Sequence, residues 1–146
     1  MTIEDRAHDG VAPSSVEHAR QYLESDGAHV DHPAVGSLLL LYTTGRASGE
    51  IRRTPLHFFE VDDHLVVVAS SRGSSHHPDW YLNLVDDPKV WVRRDAVLYP
   101  ASAFSVDGSE RDRLWESVVL ATAPRFAEYQ AMTDRVIPLV RLVAES

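Results

Sequence analysis

Three short apolar runs set the strongest limit on the fold: "SLLLLYTT" from Ser37, "RRTPLHFFEV" from Arg52 and "HLVVVASS" from His64. Their β-branched and aromatic residues and their length predict strands, and hairpin-sized gaps separate them. Asp62-Asp63 is the expected turn between the last two. Pro55 cannot donate to a ladder, so it predicts an edge position or a bulge. "KVWVRRDAVLYPASAFSV" repeats the pattern, turning near Arg94-Asp95, and "VIPLVRLVA" closes the chain as a last extended segment. About five or six strands at such spacings imply an antiparallel sheet, closed or partly closed, rather than a doubly wound parallel one.

Helices fill the remainder. "PSSVEHARQYLESDG" has Ser14 or Ser15 as cap, and Val16, Ala19, Tyr22 and Leu23 on one face. Pro78 opens a short helix "PDWYLNLVDD". "SERDRLWESVVLATA" has Ser109 as cap and a stripe through Leu114, Trp115, Val118 and Val119. "PRFAEYQAMTDR" is another short helix. Residues 1–12 are polar and expected to be flexible, and "AHVDHPAVG" reads as a loop. Residues 13–146 are expected to be one domain. The fold class is α+β.

Charge and composition narrow the partners. The formal net charge of -8 on 146 residues weighs against nucleic acid or an anionic membrane as the main partner. Without cysteine there is no disulfide, thiolate chemistry or Cys-ligated metal. No stretch is apolar enough for a membrane span and no signal peptide is visible, so a cytoplasmic protein without stable membrane anchoring is expected. The pairs His29/His32 and His76/His77 have no third ligand at a metal-site spacing, and no metal is expected.

Against this acidic background, "TTGRASGEIRRTPL" is locally basic. Gly45 and Gly49 permit a nest of backbone N–H groups, and Arg46, Arg52 and Arg53 supply charged forks, so the turn suits an anion. A second polar loop, "SSRGSSHHP", brings hydroxyls, Arg72, Gly73 and a helix start. If the strands before these loops are neighbours, the loops converge. Solvated surface turns are the plainer reading and have equal standing at this level.

Four collinear segments, "TTGRASGEIRRTPL", "VVVASSRGSSHHPDWYLNL", "DDPKVWV" and "YQAMTDRVIPLVRL", resemble the deazaflavin-dependent nitroreductase and quinone reductase family, which uses coenzyme F420. The resemblance runs from about residue 22 to 143. It implies a mostly antiparallel, flavin-reductase-like split β-barrel with flanking helices. It also implies coenzyme F420, an 8-hydroxy-5-deazaflavin, as cofactor. On the family pattern Arg46, Ala47, Ser48, Gly49 and Arg52 fall at positions that contact the phosphate and oligoglutamate tail. Leu56 and His57 fall beside the ring. Ala69, Ser70 and Ser71 line its other edge, followed by Arg72 and Gly73. Trp80 shares a helix face with Asn83 and Leu84; it is assigned to the coenzyme site, with core packing as the competing role.

The implied chemistry is hydride transfer to a small planar acceptor: a quinone, an enone or a nitro compound. Ser70 is the candidate for stabilising charge at the ring carbonyl, and Tyr129 for orienting or protonating the acceptor. In three places the sequence departs from the family pattern. Ala47 stands where a basic residue is usual, Arg72 replaces the first glycine of the second loop, and the tyrosine set is reduced to Tyr129 with Phe126 and Ala123. The last bears on nitro reduction more than on coenzyme binding. The alternatives are a flavin mononucleotide oxidoreductase on a similar barrel and a non-catalytic deazaflavin-binding or storage protein. A monomer or weak oligomer is expected.

Overall fold

The computed structural model describes residues 2–9, 13–25 and 38–145. In chain order these form α1 (Ile3–Arg6), β1 (Ala7–Asp9), α2 (Pro13–Ser25), β2 (Leu38–Thr44), β3 (Ile51–His57), β4 (Phe59–Val61) and β5 (His64–Val68). A 3-10 turn (Ser71–Gly73), α3 (Asp79–Asp86), β6 (Lys89–Arg94) and β7 (Val97–Val106) follow. Then come α4 (Gly108–Leu114), a π-helical turn (Trp115–Val119), α5 (Leu120–Thr122), α6 (Phe126–Ala131) and β8 (Leu139–Ala144). The loop expected over residues 28–36, including His29 and His32, lies outside the described residues.

The fold is mixed α+β around one eight-stranded sheet of order β1-β3-β2-β6-β7-β8-β5-β4. Every pairing is antiparallel except β1 on β3. The strand count exceeds the expectation because the polar N-terminus adds β1 and because "RRTPLHFFEV" breaks at Phe58 into β3 and β4.

Alternation explains why β2 is apolar throughout. Leu39 and Leu41 enter an inner core with Leu65, Val67, Val90, Val92, Val140 and Leu142, closed by Trp80 and Leu84 of α3. Leu40 and Tyr42 face the other way and meet Ala19 and Tyr22 of α2 and Ile51 of β3. Each such leucine contributes about 1.5–3 kcal/mol by leaving water. β5 is two-faced in the same manner. Val66 and Val68 join a third cluster, where Trp115, Val119, Ala123 and Phe126 cover the sheet's far side.

β2 and β5 have three strands between them in the sheet yet share the inner core, so the sheet curls strongly and brings β3 close to β5. The ladder nevertheless stays open, ending at β1 and β4. The α+β expectation stands, and the sheet is open and curled. The free edge of β3 has a physical cause: β1 pairs only with residues 51–53, and beyond them Pro55 has no N–H to offer a closing strand.

Turns and caps follow from local chemistry. Asp62 and Asp63 both take left-handed φ, 51° and 67°, as a tight hairpin between right-twisted strands demands. Asp95 does the same at φ 55° between β6 and β7. Asp107, not Ser109, is the N-cap of α4, and Ser109 lies within the first turn. Pro78, expected as the first helical residue, is the N-cap of α3, which starts one residue later at Asp79.

The N-terminal stretch, read as flexible because it is polar, forms α1 and β1 over residues 3–9, with Ile3 and Ala7 against the α2 cluster and ion pairs beside them. Thr2 and Asp5 make a capping box. Arg53, with its side chain 13% exposed, pairs with Asp9 at 2.7 Å and with Glu4, which also accepts from the Tyr42 hydroxyl. Burial, followed by the bond to Glu4, pushes the Tyr42 phenol up, so it stays a donor at neutral pH.

Replacing Arg53 strands Glu4 and Asp9 in a half-buried setting. Arg53→Met should cost about 2–3 kcal/mol, below the full penalty of a buried pair because water reaches the carboxylates. Urea melts read the loss, and faster proteolysis within residues 2–9 identifies the arm as the part released.

Candidate functional site

The first loop, residues 45–50, is a closed turn. The Gly45 N–H donates to the Glu50 carbonyl at 2.7 Å and the Gly49 N–H to the Gly45 carbonyl at 2.8 Å. Gly49 sits at φ +73°, where a side chain would be strained. Ser48 Oγ accepts from the Glu50 N–H at 3.1 Å, and Ala47 forms part of the exposed rim.

A buried amide clips this loop to α3. Asn83, 3% exposed, uses Oδ1 to accept from the Arg46 backbone N–H at 3.1 Å and from Arg46 Nη1 at 2.8 Å. Its Nδ2 donates to Thr43 Oγ1 at 3.4 Å. Arg46 Nη2 lies 3.3 Å from Asp79 Oδ1, while Arg52 lies 3.4 Å from Glu50. Both ion pairs are largely exposed and contribute about 1 kcal/mol or less, so an arriving anion competes with them at low cost.

Alternation along β3 sorts its three-arginine neighbourhood. Arg53 shares the outer side with Ile51 and Tyr42 and is consumed by the N-terminal arm. Arg52, Thr54 and Leu56 face the inner side, where Leu56 packs against the core. His57 ends the strand on the side opposite Leu56, so strand geometry separates those two expected ring neighbours.

The second loop has an unusual backbone. Ser71, Arg72 and Gly73 run consecutively at φ 44°, 52° and 82°. Two of them are not glycine, and left-handed φ costs such residues about 1–2 kcal/mol each. Something must hold the loop there, and a single side chain does most of it. Arg135 donates from Nη2 to the Ser70 carbonyl at 2.7 Å, from Nε to the Ser74 carbonyl at 2.8 Å and from Nη1 to the Ala69 carbonyl at 3.2 Å. Its Nη1 is also 3.1 Å from His77 Nδ1. Burial, then the Arg135 charge, holds His77 below the ordinary histidine value, so it is neutral at pH 7.

Arg135 is itself placed by a second network. Gln130 Nε2 donates to the Arg135 carbonyl at 2.7 Å, and Gln130 Oε1 accepts from the Ile137 N–H at 2.9 Å. Arg111, 7% exposed, donates to the Ile137 carbonyl and to Gln130 and lies 4.4 Å over the Trp115 ring. α6 also rests directly on the loop: a Cβ at Gly73 would meet the Tyr129 carbonyl oxygen at 2.8 Å.

The two loops therefore meet, though not as neighbouring strands. β2 and β5 are not paired; the curl and α3 join them. Arg46 grips Asp79 and Asn83, while the second loop runs into Pro78 at the start of the same helix. Trp80 is 7% exposed within the inner core, T-shaped to Tyr81 at 6.4 Å, so packing is the role its contacts describe. Phe126 is likewise core, 7% exposed among Phe59, Trp115 and Tyr129. Ser70 is half-buried beside Ala69. Tyr129 is half-buried on α6, its ring 5.7 Å from Phe126.

The sequence reading missed Asn83 and Arg135 as site-building residues. Asn83 had a signal in its polarity on an otherwise apolar helix face. Arg135 stood within the quoted segment "YQAMTDRVIPLVRL", but its partners lie more than sixty residues away. Among the described residues, no three side chains of metal-ligand type converge, and no helix is long and apolar enough to cross a membrane.

Arg135→Met removes the donor of three carbonyls and should cost about 2–3 kcal/mol. Amide exchange should quicken at Gly73 and Ser74 before it does in the β-sheet. The depressed His77 value sets a pH dependence of known sign. Below 6.5, its ordinary value, the unfolded chain takes up the proton first, so stability falls as pH drops through and below 6.5. His77→Gln should flatten that acid-side slope in melts compared across pH 5–8.

Comparison with known proteins agrees with this geometry. The family profile described as F420H(2)-dependent quinone reductase matches residues 15–144. An F420H(2)-dependent quinone reductase of Mycobacterium tuberculosis is 35% identical over 112 residues, 75% of each chain. A second protein of that organism, named a putative F420H(2)-dependent quinone reductase, is 35% identical over 104 residues, covering 71% of this chain and 87% of its own. A solved F420-H2 dependent reductase superposes with TM-score 0.64 at 36% identity over 72% of this chain and 92% of that one. Another structure, described as a domain-swapped dimer, gives TM-score 0.66 at 34% identity over 87% and 92%. In sequence and in fold alike, this chain belongs to the F420H(2)-dependent quinone reductase family.

Proposed function

We propose that this protein is an oxidoreductase that uses reduced coenzyme F420 to reduce a small planar acceptor of the quinone type. The observation that carries the reading is the meeting of two anion-ready loops at the first turns of α3. The names of the 35% identical relatives support the cofactor and the acceptor class. The curled sheet supports reading the fold as the split barrel that the sequence motifs imply, with its open edge along β3.

The donor set fits the coenzyme. A phosphate and a glutamate tail need cations and N–H groups reachable from water. Arg46, bonded to Asn83 and to the exposed Asp79, and Arg52, held by an exposed ion pair, lie beside a turn whose Gly49 is at positive φ. The ring needs an apolar floor and a polar edge. Leu56 offers the first, and Ala69, Ser70 and Ser71 the second.

When bound, the coenzyme supplies the reactive carbon and the electron pair for hydride transfer. The rest falls to the chain. Arg46, Arg52 and the Ser48 hydroxyl bind the anionic end. Ser70 would stabilise charge at the ring carbonyl through its hydroxyl or N–H. α6, seated on Gly73, excludes water from the acceptor's side, and the Tyr129 hydroxyl donates to the acceptor oxygen. Arg72 adds a cation to a loop whose own backbone it strains, as a replacement for the charge missing at Ala47.

The test is a calorimetric competition between coenzyme F420 and flavin mononucleotide, followed by turnover with a quinone panel. Tighter flavin mononucleotide binding would overturn the cofactor, and binding without turnover would indicate a storage protein instead. Gel filtration of the protein with and without coenzyme addresses the oligomeric state.

Arg72→Gly separates charge from backbone. Relief of a left-handed φ should leave stability unchanged or raise it by about 1 kcal/mol. Coenzyme affinity should fall about three- to tenfold, the effect of one exposed charge-assisted contact. Unchanged affinity would remove Arg72 from the site.

A further inference from the structure

We infer that the N-terminal arm, α1 and β1, forms a third wall of the anion site, with His8 and Arg6 holding the distal part of the coenzyme's glutamate tail beside Arg52. The inference rests on the proposed placement of the tail at the first loop. It adds a segment that the family match, residues 15–144, does not include.

Register carries the argument. β1 lies parallel on β3 with Ala7 opposite Ile51, His8 opposite Arg52 and Asp9 opposite Arg53. The outer side of this pair is fixed by contact: Asp9 bonds Arg53 at 2.7 Å, and Ala7 and Ile51 join the α2 cluster. Successive strand side chains alternate, so His8 projects to the other side with Arg52, the side that continues into Thr54 and Leu56. His8 is exposed. Arg6 directly precedes Ala7, at the level of the Glu50 end of the first loop. It too is exposed and, among the described residues, has no ion pair.

The acids of the arm are committed elsewhere. Glu4 and Asp9 turn to Arg53, and Asp5 is tied to Thr2 by the capping box. On the His8 side, among the described residues, Arg52 with its partner Glu50 and Arg6 carry charge. β1 is also the terminal strand of the sheet. A row of carboxylates passing Arg52 toward that edge meets His8 before it reaches open water. Because Arg53 already holds the arm in place, little ordering entropy is lost when the tail arrives.

The experiment compares two probes on the intact chain: coenzyme F420 with a multi-glutamate tail, and the deazaflavin riboside that lacks phosphate and tail. Dissociation constants come from fluorescence titration. His8→Ala and Arg6→Ala should each weaken the tailed form about three- to tenfold, and leave the riboside unchanged. Arg6→Ala should also reduce the salt dependence of tailed binding. A double variant that binds the tailed form like the unaltered protein overturns the inference. So does an equal loss for both probes, which is what a general folding defect would produce. If the unaltered protein fails to bind the tailed coenzyme at all, the proposed function falls first; if it binds and only the variants are silent, the arm alone has been misassigned.

Discussion

The burial of β2 on both faces is the constraint from which the rest of the molecule follows. Leu39 and Leu41 pull β5, β6, β8 and α3 together on one side, while Leu40 and Tyr42 hold α2 and β3 on the other. A strand so fixed cannot slip by one residue without moving every side chain to the wrong face. Its end at Thr44 is therefore a rigid platform, and the glycine turn that follows is presented in one place. Thr43, fully buried, then aligns Asn83, and Asn83 holds the backbone and the guanidinium of Arg46.

The opposite wall is built by cations that bind carbonyl oxygens. Arg111 is buried and Arg135 half-buried, and backbone carbonyls accept from both. A guanidinium has five donors in a fixed fork, so it can gather several loop carbonyls that no ladder reaches. This arrangement holds the left-handed Ser71–Gly73 segment in place, with Ser71 and Arg72 exposed. It also keeps positive charge near the site in a protein whose overall charge is -8. The three arginines of the first segment thus divide their labour: Arg46 and Arg52 remain within reach of an anion, and Arg53 fastens the arm.

Much of this was legible in the chain. The strands from β2 to β8, the Asp62-Asp63 and Asp95 turns, the π-containing helix at 108–122 and the short α6 all follow from local pattern and turn chemistry. The two loops were visible because glycine and arginine are conspicuous between apolar runs. β1 was not visible, since the three residues Ala7, His8 and Asp9 are too few to show a period and Asp9 is held by Arg53 from far along the chain. Trp80 and Phe126 are packed in the core, and an aromatic ring on a helix has the same sequence signature whether it packs or faces a ligand.

Sequence alone determined the elements, the basic character of the first loop and, through four collinear motifs, the family. These depend on neighbours within a few residues or on residue identity, and a linear reading contains both. Tertiary structure alone decided that the sheet curls without closing. It also decided that the two loops meet through α3 rather than through paired strands, and that Arg53 serves the arm while Arg135 shapes the second loop. Each of those outcomes joins residues far apart in the chain, such as Arg135 with Ser70 or Arg53 with Glu4. Their partners are selected by the competition of buried surfaces and unsatisfied carbonyls for the same space, which has no trace in local spacing.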